Sequence, residues 1–193
     1  MKNKLIINRL IIISLLGNAL INTGTVNSAE HISFRNGILS RTININSFEN
    51  LAKSNTAEGT LHNLIEITNQ SPEKISELLN IQFEMPLIVT SKLLNTSIGE
   101  VFLLRTAEII HPLTTKDKNI TIPAIRSAII NAIVEGKGSL SLISFLKAYP
   151  NKKIAIDMSA LFQVLEKIDS MSELIEFFAN SPLKGIKKNK INL

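Results

Sequence analysis

Histidines, carboxylates and serines with recognisable spacing are few in this sequence, and each can be weighed singly. His62 and Glu66 stand four residues apart, which puts both on one helix face and supplies half of a metal site. No second histidine pair accompanies them, so a surface pair is the plainer reading. His111 precedes Pro112 and is expected in the last turn of a helix, where free carbonyls favour a donor. His31 adjoins a candidate cleavage site and is expected to be exposed. Gly136-Lys137-Gly138-Ser139 has the letters of a phosphate-cradling loop in the wrong order and reads as a helix terminator followed by a loop. It also lacks the second glycine of a Gly-x-Ser-x-Gly nucleophile turn, a motif absent from the chain. The acidic residues are spread too evenly to mark an acid–base pair. No catalytic, cofactor-binding or metal-ligating residue is assigned, no cofactor is expected, and the chain is not expected to be an enzyme.

The composition supports that restraint. With no cysteine among 193 residues, a disulfide framework, a thiolate zinc site and a Cys nucleophile are excluded. Hydrophobic residues make up 45% of the chain, enough to bury a core. The net charge of +5 suggests nucleic acid until its distribution is read. Of 21 basic residues, three lie in the first ten positions and four in the last ten, leaving fourteen between them against all sixteen acidic ones. Arginines are scattered and tryptophan is absent, so neither base-edge reading nor extensive stacking is supported, and no nucleic-acid partner is expected.

The amino-terminal residues look like an address. Lys2, Lys4 and Arg9 precede the uncharged apolar run Leu10–Ile21, which is followed by the small polar stretch Asn22–Ala29. This is the layout of a secretory signal peptide over residues 1–29, with cleavage after Ser28 or after Ala29. The apolar run is too short to cross a bilayer, which takes about 20 residues. Export to the periplasm or the extracellular space is the expectation, and an uncleaved anchor is the alternative.

The elements that would position any site are short. Ile32–Arg35 and Ile38–Ile43 flank Asn36-Gly37, a sequence suited to a hairpin turn with two positive φ angles. From Ser47 the apolar period turns helical. Ser47 caps a helix carrying Phe48, Leu51 and Ala52; a second spans Thr60–Thr68; Ser71-Pro72 opens a third; Pro86 opens a fourth. Ser97 and Glu100 have capping-box spacing for a helix that runs to His111-Pro112. After the polar loop Thr114–Asn119, Thr121-Ile122-Pro123 opens a helix with Ile125, Ile129 and Ile133 on one face, closed by Gly136 and Gly138. A short helix covers Ser141–Ala148, and Ile154 and Ile156 allow a brief strand. Asp157 caps a last helix carrying Leu161, Leu165, Ile168, Ile175 and Phe178. The expected fold is mainly α: a compact multi-helix domain of short helices with a small N-terminal β-hairpin, spanning 30–182, followed by a basic flexible tail at 183–193.

Several of these stretches resemble a known family. Gly37–Ile43 with Phe48, Leu51 and Ala52, then Ser91–Glu100, Ala124–Ile129 and Leu140–Pro150 followed by Ile154, Ile156 and Asp157, occur in the order found in a cyanobacterial amino-terminal helical domain of unknown function. That domain precedes exported alpha/beta hydrolases. Ser97 stands where the family usually has proline. The resemblance implies a stand-alone version of the domain, without the hydrolase that follows it in longer members. It carries over no catalytic residue. Arg126, on an otherwise apolar helix face, is either a surface residue, the plainer reading, or an internal ion pair with a carboxylate such as Glu100 or Asp157.

The functional expectation is an exported, non-catalytic accessory or interaction module whose partner is a separate hydrolase or envelope protein. The alternative is a peripheral membrane or lipid-binding module, motivated by the Ile-rich helix faces and the lysine tail, with weak membrane contact.

Overall fold

In the computed structural model, residues 28–165 are described. Nearly all of the expected signal peptide lies outside them, as do Ile168, Ile175 and Phe178 of the last helix and the basic tail.

The described chain opens with the hairpin β1 (His31–Asn36) and β2 (Leu39–Asn44). Its turn is Gly37-Ile38 rather than Asn36-Gly37, because Asn36 pairs with Leu39. Gly37 takes φ +60° and neither neighbour has positive φ, the pattern of a type II′ turn. A β-branched Ile38 would resist the second positive φ of a type I′ turn, so glycine carries the only one.

Helices follow in close succession. In α1 (Ile45–Ser54) the cap is Asn44, whose side chain accepts from the Asn46 amide at 2.9 Å, three residues before the expected Ser47. Next come α2 (Gly59–Ile67), which buries Leu61 and Ile65, and α3 (Pro72–Asn80), capped by Ser71 with Pro72 in the first turn as expected. The two-residue strand β3 (Phe83–Glu84) precedes α4 (Leu87–Leu93). In α5 (Ser97–Ile109) the cap is Thr96, not Ser97; the Thr96 hydroxyl accepts from the Gly99 amide at 3.2 Å. The helices α4 and α5 meet at 83°.

At Ile110 the chain becomes the strand β4 (Ile110–Pro112), so His111 is not the helix-terminal residue expected of it. The longest described helix, α6 (Lys118–Glu135), starts one turn earlier than the sequence suggests. Asp117 caps it by accepting from the Asn119 amide, leaving Pro123 inside the helix. Pro123 is exposed, so water can satisfy the carbonyl that its missing N–H leaves free. Ile125, Ile129 and Ile133 are buried as their spacing predicts. Beyond β5 (Ser139–Leu140), which pairs with β3, the capping box of Ser141 and Ser144 opens α7 (Leu142–Ala148). The chain then runs through β6 (Lys153–Asp157) into α8 (Met158–Leu165).

Helices dominate, but "mainly α" understates the architecture. Four strands form one mixed sheet in the order β2-β1-β6-β4. In it β6 lies parallel to β1, pairing Ile32 with Ile154 and Phe34 with Ile156, and antiparallel to β4. The brief strand anticipated at Ile154 and Ile156 is therefore a central one, buried at Ile154, Ala155 and Ile156. The sheet residues Ile32, Ile43, Ile110 and Ile154 share one core cluster with the buried isoleucines of α6.

Two contacts fix this packing. A Cβ on Gly99 would lie 2.1 Å from the Leu93 carbonyl oxygen and 2.7 Å from the Leu94 Cα, so the α4–α5 corner closes only around glycine. Asp157 ends β6, caps α8 by accepting from the Ala160 amide at 3.2 Å, and accepts from Lys116 Nζ at 2.7 Å. The Lys116 hydrogen bond holds its carboxyl below the usual carboxylate range against the opposing effect of burial, and the Ala160 amide adds to the lowering.

Gly99→Ala is expected to cost about 1–3 kcal/mol or more, since backbone rather than a flexible side chain must move; urea unfolding measures it, and a neutral result would refute the close approach. The depressed pKa of Asp157 means that its contribution is present above the unfolded-state value and lost as pH falls through the folded-state value. Asp157→Asn should therefore be less stable than the parent at neutral pH and converge with it at the acid end; a pH-independent gap would contradict this.

Candidate functional site

Among the described residues, a concavity lies where the start of β1 meets α1 and α7. It is a cleft of about 340 Å³ lined by residues that include Ser28, Glu30, His31, Asn44, Glu49 and Lys147. A hollow of about 280 Å³, reaching Asn131 and Glu135, adjoins it through Ser28 and Lys147. Sheet and helices bring these groups together from distant parts of the chain. Asn44 is placed by the β2–α1 junction, Glu49 sits one turn into α1 with its side chain mostly covered, and Lys147 lies near the end of α7.

The charged groups in the cleft are already paired. Lys147 Nζ bridges to Glu49 Oε1, and Lys152 Nζ lies 3.1 Å from Glu30 Oε1. The Asn44 side chain is occupied in capping α1. His31, expected to be exposed, is partly buried in β1, and its Nδ1 is buried without a partner. Ser28 and His31 line the same cleft, yet no hydrogen bond joins them. A serine nucleophile needs its base within about 2.6–3.2 Å. The cleft thus offers a charge-balanced polar surface rather than an activated nucleophile.

The other residues singled out from sequence stay apart. His62 Nε2 stands 3.2 Å from Glu66 Oε1 on the exposed face of α2, the surface pair expected. No group of three or more potential metal ligands occurs among the described residues. His111 is fully buried; its Nδ1 donates to the Pro112 carbonyl at 2.8 Å and its Nε2 has no partner. The Gly136–Ser139 segment is a helix terminator, with Lys137 at φ 52° and Gly138 at φ 98°. Arg126 is neither a free surface residue nor an internal ion pair: it is half-buried, its Nη2 donates to the Leu94 carbonyl at 3.4 Å and lies 4.0 Å from Oε2 of the exposed Glu100, and its Nε is buried without a partner. It ties α6 to the α4–α5 corner, with no link to Asp157.

Sequence reasoning did not find the cleft. Glu49 and Lys147 are almost a hundred positions apart, and neither stands in a motif. It also passed over Tyr149, which is fully buried with its ring edge-on to Phe145 and its hydroxyl unpartnered. Burial pushes the Tyr149 phenol well above its ordinary pKa, so it stays neutral. A tyrosine just ahead of Pro150 was the only signal available.

Comparison with known proteins adds one finding. Residues 28–157 match the family described as alpha/beta hydrolase of unknown function (DUF1400). No curated protein and no solved structure matches the chain. The matched stretch takes in every described element from β1 to β6 and more than half of the sequence, and so the chain belongs to the DUF1400 family.

Proposed function

We propose that this chain is an exported, non-catalytic accessory module that docks on a separate hydrolase. One observation carries the reading. Among the described residues of this hydrolase-family chain, no serine hydroxyl is bonded to a histidine. His31, His62 and His111 sit on β1, α2 and β4, and their ring partners are none, Glu66 and the Pro112 carbonyl respectively. A docking role is supported by Ile98, Val101 and Phe102, spaced i, i+3, i+4 along α5 and exposed. An apolar stripe left in water favours a partner surface.

The membrane reading has its own supporting observation, at a place other than the helix faces that first motivated it. The isoleucine face of α6 is core. At the hairpin tip, however, Ile38 is 101% exposed and Leu39 70%, flanked by Arg35 and Arg41 with no acidic residue in either strand. Apolar side chains beside cations suit the boundary of an anionic bilayer.

Three outcomes are expected. Purified protein hydrolyses simple aryl esters no faster than buffer; turnover abolished by substituting one serine would end the accessory reading. Tagged full chain isolated from its native envelope carries a serine hydrolase detectable with a fluorophosphonate probe, and the V101S/F102S variant releases it; a preparation without labelled partner rejects the proposal. In flotation with anionic vesicles at low salt, the membrane reading requires a bound fraction that I38S/L39S lowers severalfold, and no bound fraction removes that reading.

A further inference from the structure

Resting on the export reading, we infer that the chain is processed between Ser28 and Ala29, so that Ala29 is the first residue of the mature protein. The sequence allows two frames. One puts Val26 and Ser28 at the third and first positions before the scissile bond; the other puts Asn27 and Ala29 there. Export endopeptidases that remove such leaders read small residues at those two places.

The fold separates the frames. Ala29 is only 4% exposed and belongs to the hydrophobic core cluster. Its amide donates to the Lys147 carbonyl at 3.3 Å, tying the strand entry to the end of α7. The next two amides, of Glu30 and His31, donate to the Lys152 carbonyl at 2.9 and 3.0 Å, and the Glu30 carbonyl accepts from Ile45 at 2.9 Å. Among the described residues, Ala29 is thus the first whose amide is held by the fold. Ser28 is exposed on the rim of the cleft. Cutting after Ala29 would remove a core methyl and the bond to Lys147; cutting after Ser28 removes neither.

The product also fits its surroundings. Water adds across the Ser28–Ala29 peptide bond, leaving a carboxylate on the released Ser28 and an α-ammonium on Ala29. That ammonium keeps the Lys147 carbonyl as acceptor. It emerges in the cleft beside the Glu30 and Glu49 carboxylates, which Lys152 and Lys147 already bridge, and shares those two anions with the two lysines. The cleft is then a seat for the new terminus.

The test is to express the full chain in an exporting bacterial host and determine its amino terminus by intact mass and terminal sequencing. A species beginning at Ala29 is expected. The S28F variant places a bulky residue next to the inferred bond and V26D a charge three positions before it; both should accumulate precursor. In the other frame these residues occupy the second and fourth positions, so continued cutting of both variants after Ala29 would overturn the assignment. An exported parent chain beginning at Glu30 overturns the assignment alone, whereas unprocessed protein confined to the cytoplasm overturns the export reading with it. As a second readout, chains prepared to start at Ala29 and at Glu30 should differ in melting temperature by about 2–6 °C, the shorter being less stable; equal melting would remove the structural basis of the inference.

Discussion

The pairing of β1 with β6 is the constraint from which the rest of the fold follows. The two strands run parallel, with Ile32 beside Ile154 and Phe34 beside Ile156, yet the chain between them holds seven of the eight described helices. A parallel pair cannot be joined by a tight turn and needs a crossover. Here the crossover is nearly the whole domain. Closing so long a loop costs conformational entropy that grows slowly with its length, and the burial of Ile32, Ile154 and Ala155 in the sheet helps to offset it. Once the pair forms, β2 and β4 are placed on its outer edges by their own antiparallel partners.

The consequences reach beyond the sheet. Asp157 ends β6 opposite Arg35, and from that position it caps α8 and holds Lys116 in the loop ahead of α6. Lys152, just before β6, receives the first amides of the β1 segment and pairs with Glu30. The charged cleft therefore arises as a by-product of strand pairing. Arg126 and Gly99 fasten the α4–α5 corner, the first by hydrogen bonding from α6 and the second by having no side chain.

The distribution of polar groups bears on function. Serines and threonines with catalytic side chains in other settings here cap helices: Ser71, Thr96 and Ser141 each satisfy a backbone amide at a helix start. Short helices have a high ratio of ends to length, so a fold built from them needs many such caps. Ser33, buried in β1, is hydrogen-bonded to Ser40 across the hairpin. Membership of a family described as alpha/beta hydrolase thus sits beside serine and threonine hydroxyls that cap helices at Ser71, Thr96 and Ser141, and this contrast underlies the accessory reading.

What the amino-acid sequence determined by itself is local. Helix existence, the Ser71-Pro72 start, the short helix near Ser141–Ala148, the Asp157 cap and the buried isoleucine face of α6 were legible because each rests on residues within one or two turns. Cap positions slipped where two polar residues competed, Asn44 with Ser47 and Thr96 with Ser97, and the winner depended on where the preceding strand or turn delivered the chain. The hairpin was legible too, but its turn moved one residue because Gly37 could meet the single positive φ alone. Only the tertiary structure decided that Ile154 and Ile156 lie at the centre of a sheet, that His111 is a buried strand residue, and that Glu49 meets Lys147. Those facts are long-range pairings, and no short-range spacing encodes which distant strand or charge a residue will face.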